Sequence, residues 1–404
     1  MATATGNPLA ESGKPLFFKV ENPEAVGQSP PPARRGDDLR TAVKSLTEFQ
    51  KEALVTSGRT GLTWRLASDE GPYLNGLDYG PCPLSFLTTG MVASTMNEIL
   101  ALAKIRGVEI RNIRLIQDNY YTMKGSALKG TMVGGAKDVD LEAQIESDAD
   151  REALTQLVYD ATAASPINGL MRHSRESLFT LTHNDAEIET ARALPIGRTA
   201  EADPGDKFDG AQPASGDWSG LIVKGGITPK AEHTTGGAGS SLAEEQDRIL
   251  HVRGICTIRP DGIKQIVQYL YNPHGSIFTF LSEEGPENGG QGRAPDATTY
   301  MSAGIGFCFM TQFGRYAKIA KKDLRDYRIV QDSHFSLGGA SGGTGKAGEA
   351  DPLETHVHIH SGEDDDFART VLDMSEQTCF LHAFCKAELK TKIRLTAYEA
   401  EDAA

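Results

Sequence analysis

The sequence predicts an α+β fold made of two like units, each an antiparallel sheet packed with long buried helices, and three observations predict it. The first is an internal repeat. Slid on itself by 214 residues, the chain lays RTGLTWRLASDEGP (59–72) on PHGSIFTFLSEEGP (273–286), with Gly61 over Gly275, Ser68 over Ser282, Glu70 over Glu284 and Gly71-Pro72 over Gly285-Pro286. The second is that the same offset superposes two long stretches, 84–107 and 298–322, with Gly90 over Gly304. Both range from amphipathic to nearly all-round apolar, which is the pattern of a central buried helix. The third is size and composition: 404 residues, 39% hydrophobic and 24% charged, suffice for two ordinary domains and are too apolar for wholesale disorder.

Residues 1–44, with QSPPPARRGDD and no sustained periodicity, read as an N-terminal arm or surface wrap. The first unit runs over 45–183 as strands, the long helix, more strands and a second helix. From 184 to 247 the text turns to Gly, Pro, Ser and Asp, as in EADPGDKFDGAQPASGDWSG and TTGGAGSSLAEEQ, which predicts a linker. The second unit covers 248–400 and repeats the order of the first, LEAQIESDADREALTQLVYDATAASPINGLM aligning without a gap on THVHIHSGEDDDFARTVLDMSEQTCFLHAFC. Within it, SLGGASGGTGKAGEADP (336–352) contains a Gly-Lys pair but not a phosphate loop, because Ala340 and Ala347 stand where that motif needs Gly and Ser or Thr. It reads as a flexible hairpin connection.

Lys plus Arg total 41 against 55 Asp plus Glu, a formal charge of -14, so a nucleic-acid partner is not expected. The start MATATGNPLAESGK lacks the basic and apolar regions of a secretory signal, and the expected location is cytoplasmic, with no membrane partner. Five cysteines without a CxxC pair exclude a disulfide framework or a zinc ribbon. Two of them are informative. In the repeat Cys308 falls over Ser94 and Cys379 over Ser165, so one half carries two thiols where the other carries two hydroxyls. Cys308 lies inside the long helix and Cys379 at a helix-to-loop junction; brought together, they have the makings of a peroxidatic and resolving pair.

Here the chain resembles tandem copies of the OsmC/Ohr family, the osmotically induced and organic hydroperoxide resistance proteins. The resemblance rests on SDEGPYLNGLDYGPCPLSFLTTGMVAS and KIRGVEIRNIRL in the first half, and on GIGFCFMTQFG and SEQTCFLHAF in the second. It implies an intramolecular pseudodimer whose first half is degenerate, with Cys308 as peroxidatic and Cys379 as resolving cysteine. It also implies a small apolar hydroperoxide as substrate, no cofactor or metal, and an external dithiol reductant; further homo-oligomerisation stays open. Family peroxidases place a Glu ten residues before the peroxidatic Cys and use it with an Arg. Here Thr298 stands there, so Asp296, Glu283 and Glu284 are the substitute carboxylates, and Arg253, Arg259, Arg293, Arg59 and Arg65 the candidate arginines.

Tyr300, Phe307, Phe309 and Phe313 flank Cys308 and line either the core or an apolar substrate pocket. Cys385 is expected to pack in the core, and Cys82 and Cys256 to be structural. His356, His358 and His360 alternate with Val357 and Ile359, which puts the imidazoles on one strand face, read as solvent-facing rather than metal-binding. Glu363 to Asp366 begin a helix whose amides they cap. Two other functions stay open: Cys308 as nucleophile of a hydrolase or transferase on a small apolar electrophile with His382 as base, and a non-catalytic ligand-binding module.

Overall fold

Residues 264–272 and 276–282 alternate buried and half-buried side chains along their length. That period of two is what a strand needs when one face meets a core. The computed structural model of the protein describes residues 6–47, 49–230 and 241–399 and arranges such strands in two sheets. The first sheet runs in the order Phe18–Lys19, Thr63–Ser68, Lys51–Ser57, Gly36–Ser45, Leu324–Ser336, Glu354–Ser361, Leu178–His183, Leu194–Pro195, with Ala186–Ile188 beside Leu178–His183. The second runs Ile222–Ile227, Ser276–Ser282, Lys264–Asn272, Glu245–Ile258, Asn112–Ser126, Val139–Glu146, Thr391–Ala397, with Val133–Ala136 beside Asn112–Ser126.

Each sheet is therefore a composite of both halves. Gly36–Ser45 pairs antiparallel with Leu324–Ser336, and its counterpart Glu245–Ile258 with Asn112–Ser126. The last strand of each half joins the other half's strand in parallel: Leu178–His183 with Glu354–Ser361, Thr391–Ala397 with Val139–Glu146. The two repeats are interlocked, and neither keeps a sheet of its own.

Between the sheets lie two 24-residue helices, Pro83–Arg106 and Ala297–Ala320, related by the repeat offset. They cross where Gly90 and Gly304 superpose in the sequence. A β-carbon on Gly90 would stand 2.6 Å from the Ala297 carbonyl oxygen, and one on Gly304 2.9 Å from the Leu87 nitrogen, so both positions need glycine for close backbone approach. Around the crossing, Phe86 packs on Phe280, Tyr300 and Phe307 with ring centroids 5.2–6.2 Å apart. Each such ring contributes about 2–3 kcal/mol of apolar burial. The first helix has the length and hydropathy of a membrane span, but 78% of its most apolar window is buried inside the protein, as in a core helix. The shorter helices Arg151–Ala164 and Asp365–Thr378 are capped by Asp150 and Asp364, whose carboxylates accept from Ala153 N and Phe367 N.

Two sequence expectations are corrected by this architecture. The expected arm supplies Gly36–Ser45, a central strand, because Leu39, Ala42 and Val43 are apolar enough to be fully buried. The arm and linker also cover the outer face of the first sheet, where Phe18, Val20, Val26, Phe208 and Ala211 form a second core with Ala42 and Leu54. That cover reverses the reading of the histidine run: His356 and His358 are buried, His356 Nδ1 bonded to Thr180 Oγ1 at 2.9 Å, and His360 is half-exposed. Glu201, Asp332 and His356 cluster as metal ligands do, yet Arg40 and Arg198 already pair with both carboxylates. Residues 231–240 of the expected linker, and residue 400 of the second unit, lie outside the described residues.

Candidate active site

Cys308, near the middle of the second long helix, is 2% exposed, and Cys379, which closes the helix Asp365–Thr378 and opens Phe380–Lys386, is fully buried. Their thiols are near enough to influence each other's ionisation, as is the Leu381 N–H that of Cys308. At the pseudosymmetric place Ser94 Oγ and Ser165 Oγ are 2.8 Å apart. The repeat register therefore brings the thiols and the hydroxyls together at corresponding places.

The cavity beside Cys308 is small, about 30 Å³, and is lined mainly by the other half and by one face of the Cys308 helix. Arg248 and Arg315 line it, and Lys51 is a buried cation behind its lining residues Thr311 and Glu70. It is 1% exposed, donates to the Phe49 carbonyl at 2.7 Å and to Thr311 Oγ1 at 2.9 Å, and stands 4.0 Å from Glu70 Oε1. Thr311, one turn beyond Cys308, donates to Glu70 Oε1 at 2.8 Å, and Tyr73 donates its hydroxyl to Glu70 Oε2 at 2.7 Å. Burial pushes the Glu70 carboxyl up and the Lys51 amine down from their ordinary values, and the charge of each partner opposes this. Burial also pushes the Cys308 thiol well up, as do the neighbouring Cys379 and the charge of Glu70, while the Leu381 N–H favours the thiolate. Lys51 and a Cys308 thiolate stabilise each other.

None of the sequence-predicted carboxylates and arginines lines this cavity. Asp296 caps its own helix, accepting from Thr299 N at 2.8 Å, and is held by Arg59 at 2.5 Å. Arg59 also pairs with Asp37 and Glu287, and Glu284 with Lys264. Asp296, Arg59 and Glu284 line instead a cavity of about 470 Å³ around Ser94, closed on one side by the 336–343 loop. That loop, expected to be a flexible connection, is fixed by Glu98, whose carboxylate accepts from Ala340 N at 2.7 Å and Ser341 N at 3.3 Å. The remaining candidates are tied elsewhere: Glu283 to Arg293, Arg253 to Asp118, Arg259 to Asp261, and Arg65 to Glu52 and the Pro15 and Leu16 carbonyls.

The exchange of strands explains the displacement. A residue that precedes the long helix of one half faces the cysteine or serine of the other, so Glu70, not its repeat partner Glu284, meets Cys308. Sequence reasoning missed Lys51, Glu70, Arg248 and Arg315; the aligned pair Glu70 and Glu284, read across the halves, was the signal for the second of these. Tyr300, Phe307, Phe309 and Phe313 are fully buried core and do not line the cavity. Its walls are Leu74, Leu84, Leu250, Leu270, Pro273 and Phe380, together with Cys82, previously read as structural. His382 packs against Phe309 and Phe179, and neither ring nitrogen has a hydrogen-bond partner. It is not among the residues that line the cavity.

Comparison with known proteins matches part of the chain. No curated protein matches the chain. A solved structure, an OsmC-like hydroperoxide resistance protein from Jannaschia sp. CCS1, aligns at 18% identity with a TM-score of 0.25, over 38% of this chain and 99% of its own. The family model for OsmC-like protein matches residues 290–394, the stretch that holds both Cys308 and Cys379. Residues 290–394 of this chain are thus an OsmC-like domain, interlocked with a first half of the same element order.

Proposed function

We propose that the protein is a thiol peroxidase that reduces organic hydroperoxides through Cys308 and Cys379 and is returned to the dithiol by an external dithiol reductant. The observation that carries this reading is the pair of neighbouring buried thiols, both within the stretch that the OsmC-like family model matches, with a cavity beside Cys308. In the first step Cys308 loses its proton, which goes on to the alkoxide formed next, and the charge of Lys51 favours the thiolate. The thiolate attacks the outer oxygen of the hydroperoxide; the O–O bond breaks, an S–O bond forms, and the alkoxide takes up a proton and leaves as the alcohol. The Cys379 sulfur, deprotonated, then attacks the sulfenic acid, forming S–S and releasing the oxygen as water. Sulfur is oxidised by two electrons and the peroxide reduced by two. The apolar walls favour an organic substrate, while the cavity itself admits little more than the peroxide group.

The test is intact-protein mass spectrometry with thiol mapping after one equivalent of cumene hydroperoxide or of hydrogen peroxide. The expected result is loss of two hydrogens, mapped to a Cys308–Cys379 bridge and faster with the organic peroxide. Both thiols remaining free would refute the reading.

A further inference from the structure

The cavity around Ser94 has no part in the chemistry above, yet at about 470 Å³ it has the size of a small-molecule site. It takes the pseudosymmetric place of the Cys308 cavity with the opposite charge. Among the described residues Asp37, Glu98, Glu284, Glu287 and Asp296 line it against one cation, Arg59, whereas Arg248 and Arg315 line the other against Glu70. Arg59 is divided among Asp37, Glu287 and Asp296, and Lys264 pairs with Glu284. An excess of negative charge remains.

Two acceptors in this cavity are also left over. Asp37 is 3% exposed; its Oδ2 pairs with Arg59 Nε at 3.1 Å and accepts from Thr298 Oγ1 at 2.7 Å, while its Oδ1 is buried with no hydrogen-bond partner. Asn97, which shares a helix face with Ser94, lines the cavity too, and its Oδ1 is likewise buried without a donor. A ligand that brought N–H groups would satisfy both oxygens. Burial pushes the Asp37 carboxyl up from its ordinary value against the pull of Arg59, with the charge of Asp296 adding to the rise, and burial also raises Glu98. A positive charge in the cavity would favour the carboxylate form of each.

The lining suits an organic cation and not a metal ion. Among the described residues three metal-ligating atoms come within 4.8 Å of one another only at Glu201, Asp332 and His356, so the carboxylates here are spread around the space and not gathered on a point. No aromatic ring lines the cavity, which leaves a quaternary ammonium without its usual partner. We propose that the Ser94 cavity binds an organic amine, its ammonium N–H groups donating to Asp37 Oδ1 and Asn97 Oδ1, and prefers a diamine, whose second charge meets the remaining carboxylates. This is independent of the reading of Cys308 and Cys379.

The experiment is calorimetric titration of the full chain with 1,4-diaminobutane, butylamine, tetramethylammonium and magnesium ion. Diaminobutane is expected to bind about tenfold or more tighter than each of the others, the worth of one further charge-assisted hydrogen bond. Asp37→Asn, which turns the unpartnered acceptor into a donor, should weaken it by a similar factor. Where that variant does not fold, Asn97→Lys, which brings a tethered ammonium to the cavity, should do the same. Hydrogen exchange in the 336–343 loop, expected to slow when diaminobutane is added, locates the site without any substitution. Diaminobutane that fails to bind, or that binds no tighter than tetramethylammonium or magnesium, overturns the amine site. So does binding that leaves the loop exchange unchanged or is indifferent to the folded variant. Equal affinity for butylamine and diaminobutane, with both well above tetramethylammonium, upholds the amine site and overturns the diamine preference.

Discussion

Oxidation of the Cys308 and Cys379 pair is expected to stabilise the fold measurably, because the two thiols are neighbours in the folded chain and 71 residues apart in the sequence. In the chain-entropy account, a bridge closing a loop of that size removes enough freedom from the unfolded state to be worth about 4.4 kcal/mol. Unfolding entropy of about 2.1 cal/mol/K per residue, summed over a chain whose interlocked halves melt together, turns this into a rise in Tm of about 5 °C. The assay is thermal unfolding followed by circular dichroism, for protein kept under dithiol reductant and protein treated with one equivalent of cumene hydroperoxide and then freed of oxidant. Cys379→Ser is the control, since it keeps the peroxidatic sulfur and the packing but cannot close the loop. The reasoning is refuted if Cys379→Ser gains the same Tm on oxidation, or if the bridge that forms maps to Cys82, Cys256 or Cys385. The mirror site offers a check on the geometry. Ser94 and Ser165 show the same 71-residue separation and a 2.8 Å contact, so Ser94→Cys with Ser165→Cys should form a second bridge with a comparable gain.

Lys51→Met removes the cation that favours a Cys308 thiolate; the thiol then rises further, and alkylation by iodoacetamide at pH 7 should slow at least tenfold, with the rate-against-pH curve displaced to higher pH. In the unaltered protein the raised Cys308 thiol predicts a rate that climbs about tenfold per pH unit from 6 to 9 without a plateau. Burial holds the His382 imidazole down at about 4, against 6.5 ordinarily. The unfolded chain therefore binds more protons between those values, stability rises with pH, and at pH 5 the protein loses about 2 kcal/mol relative to pH 7.5 through this residue. Urea unfolding of His382→Leu at both pH values should show a difference smaller by that amount. Gly90→Ala places a β-carbon 2.6 Å from a backbone oxygen, so urea unfolding should give a loss of about 1–3 kcal/mol.

Local patterns carried much of this fold into view. The 214-residue repeat located both long helices, the glycines at their crossing and the equivalence of the cysteines to Ser94 and Ser165, because close packing fixes residue size and spacing along a helix in a way that a sequence displays. The carboxylic start of Asp365–Thr378 was legible for the same reason, a cap being a matter of neighbouring residues. The histidine face was misread since period-two alternation tells which residues share a face and not what covers it. Here a segment about 150 residues earlier in the chain, around Asp203 and Phe208, lies over that sheet.

What the sequence by itself determined is the inventory of elements and the presence of one site with thiols and one with hydroxyls. The tertiary structure alone decided which side chains surround each. Glu70 and Tyr73 share a cavity with Cys308, with Lys51 beside Glu70, and Asp296, Arg59 and Glu284 gather near Ser94, because the halves exchange strands and their helices cross between shared sheets. Spacing along a chain encodes contacts within a helix turn or a strand pair. Contacts between halves depend on how two surfaces bury each other, and residues far apart in sequence become neighbours only when the apolar faces of both repeats close over a common core.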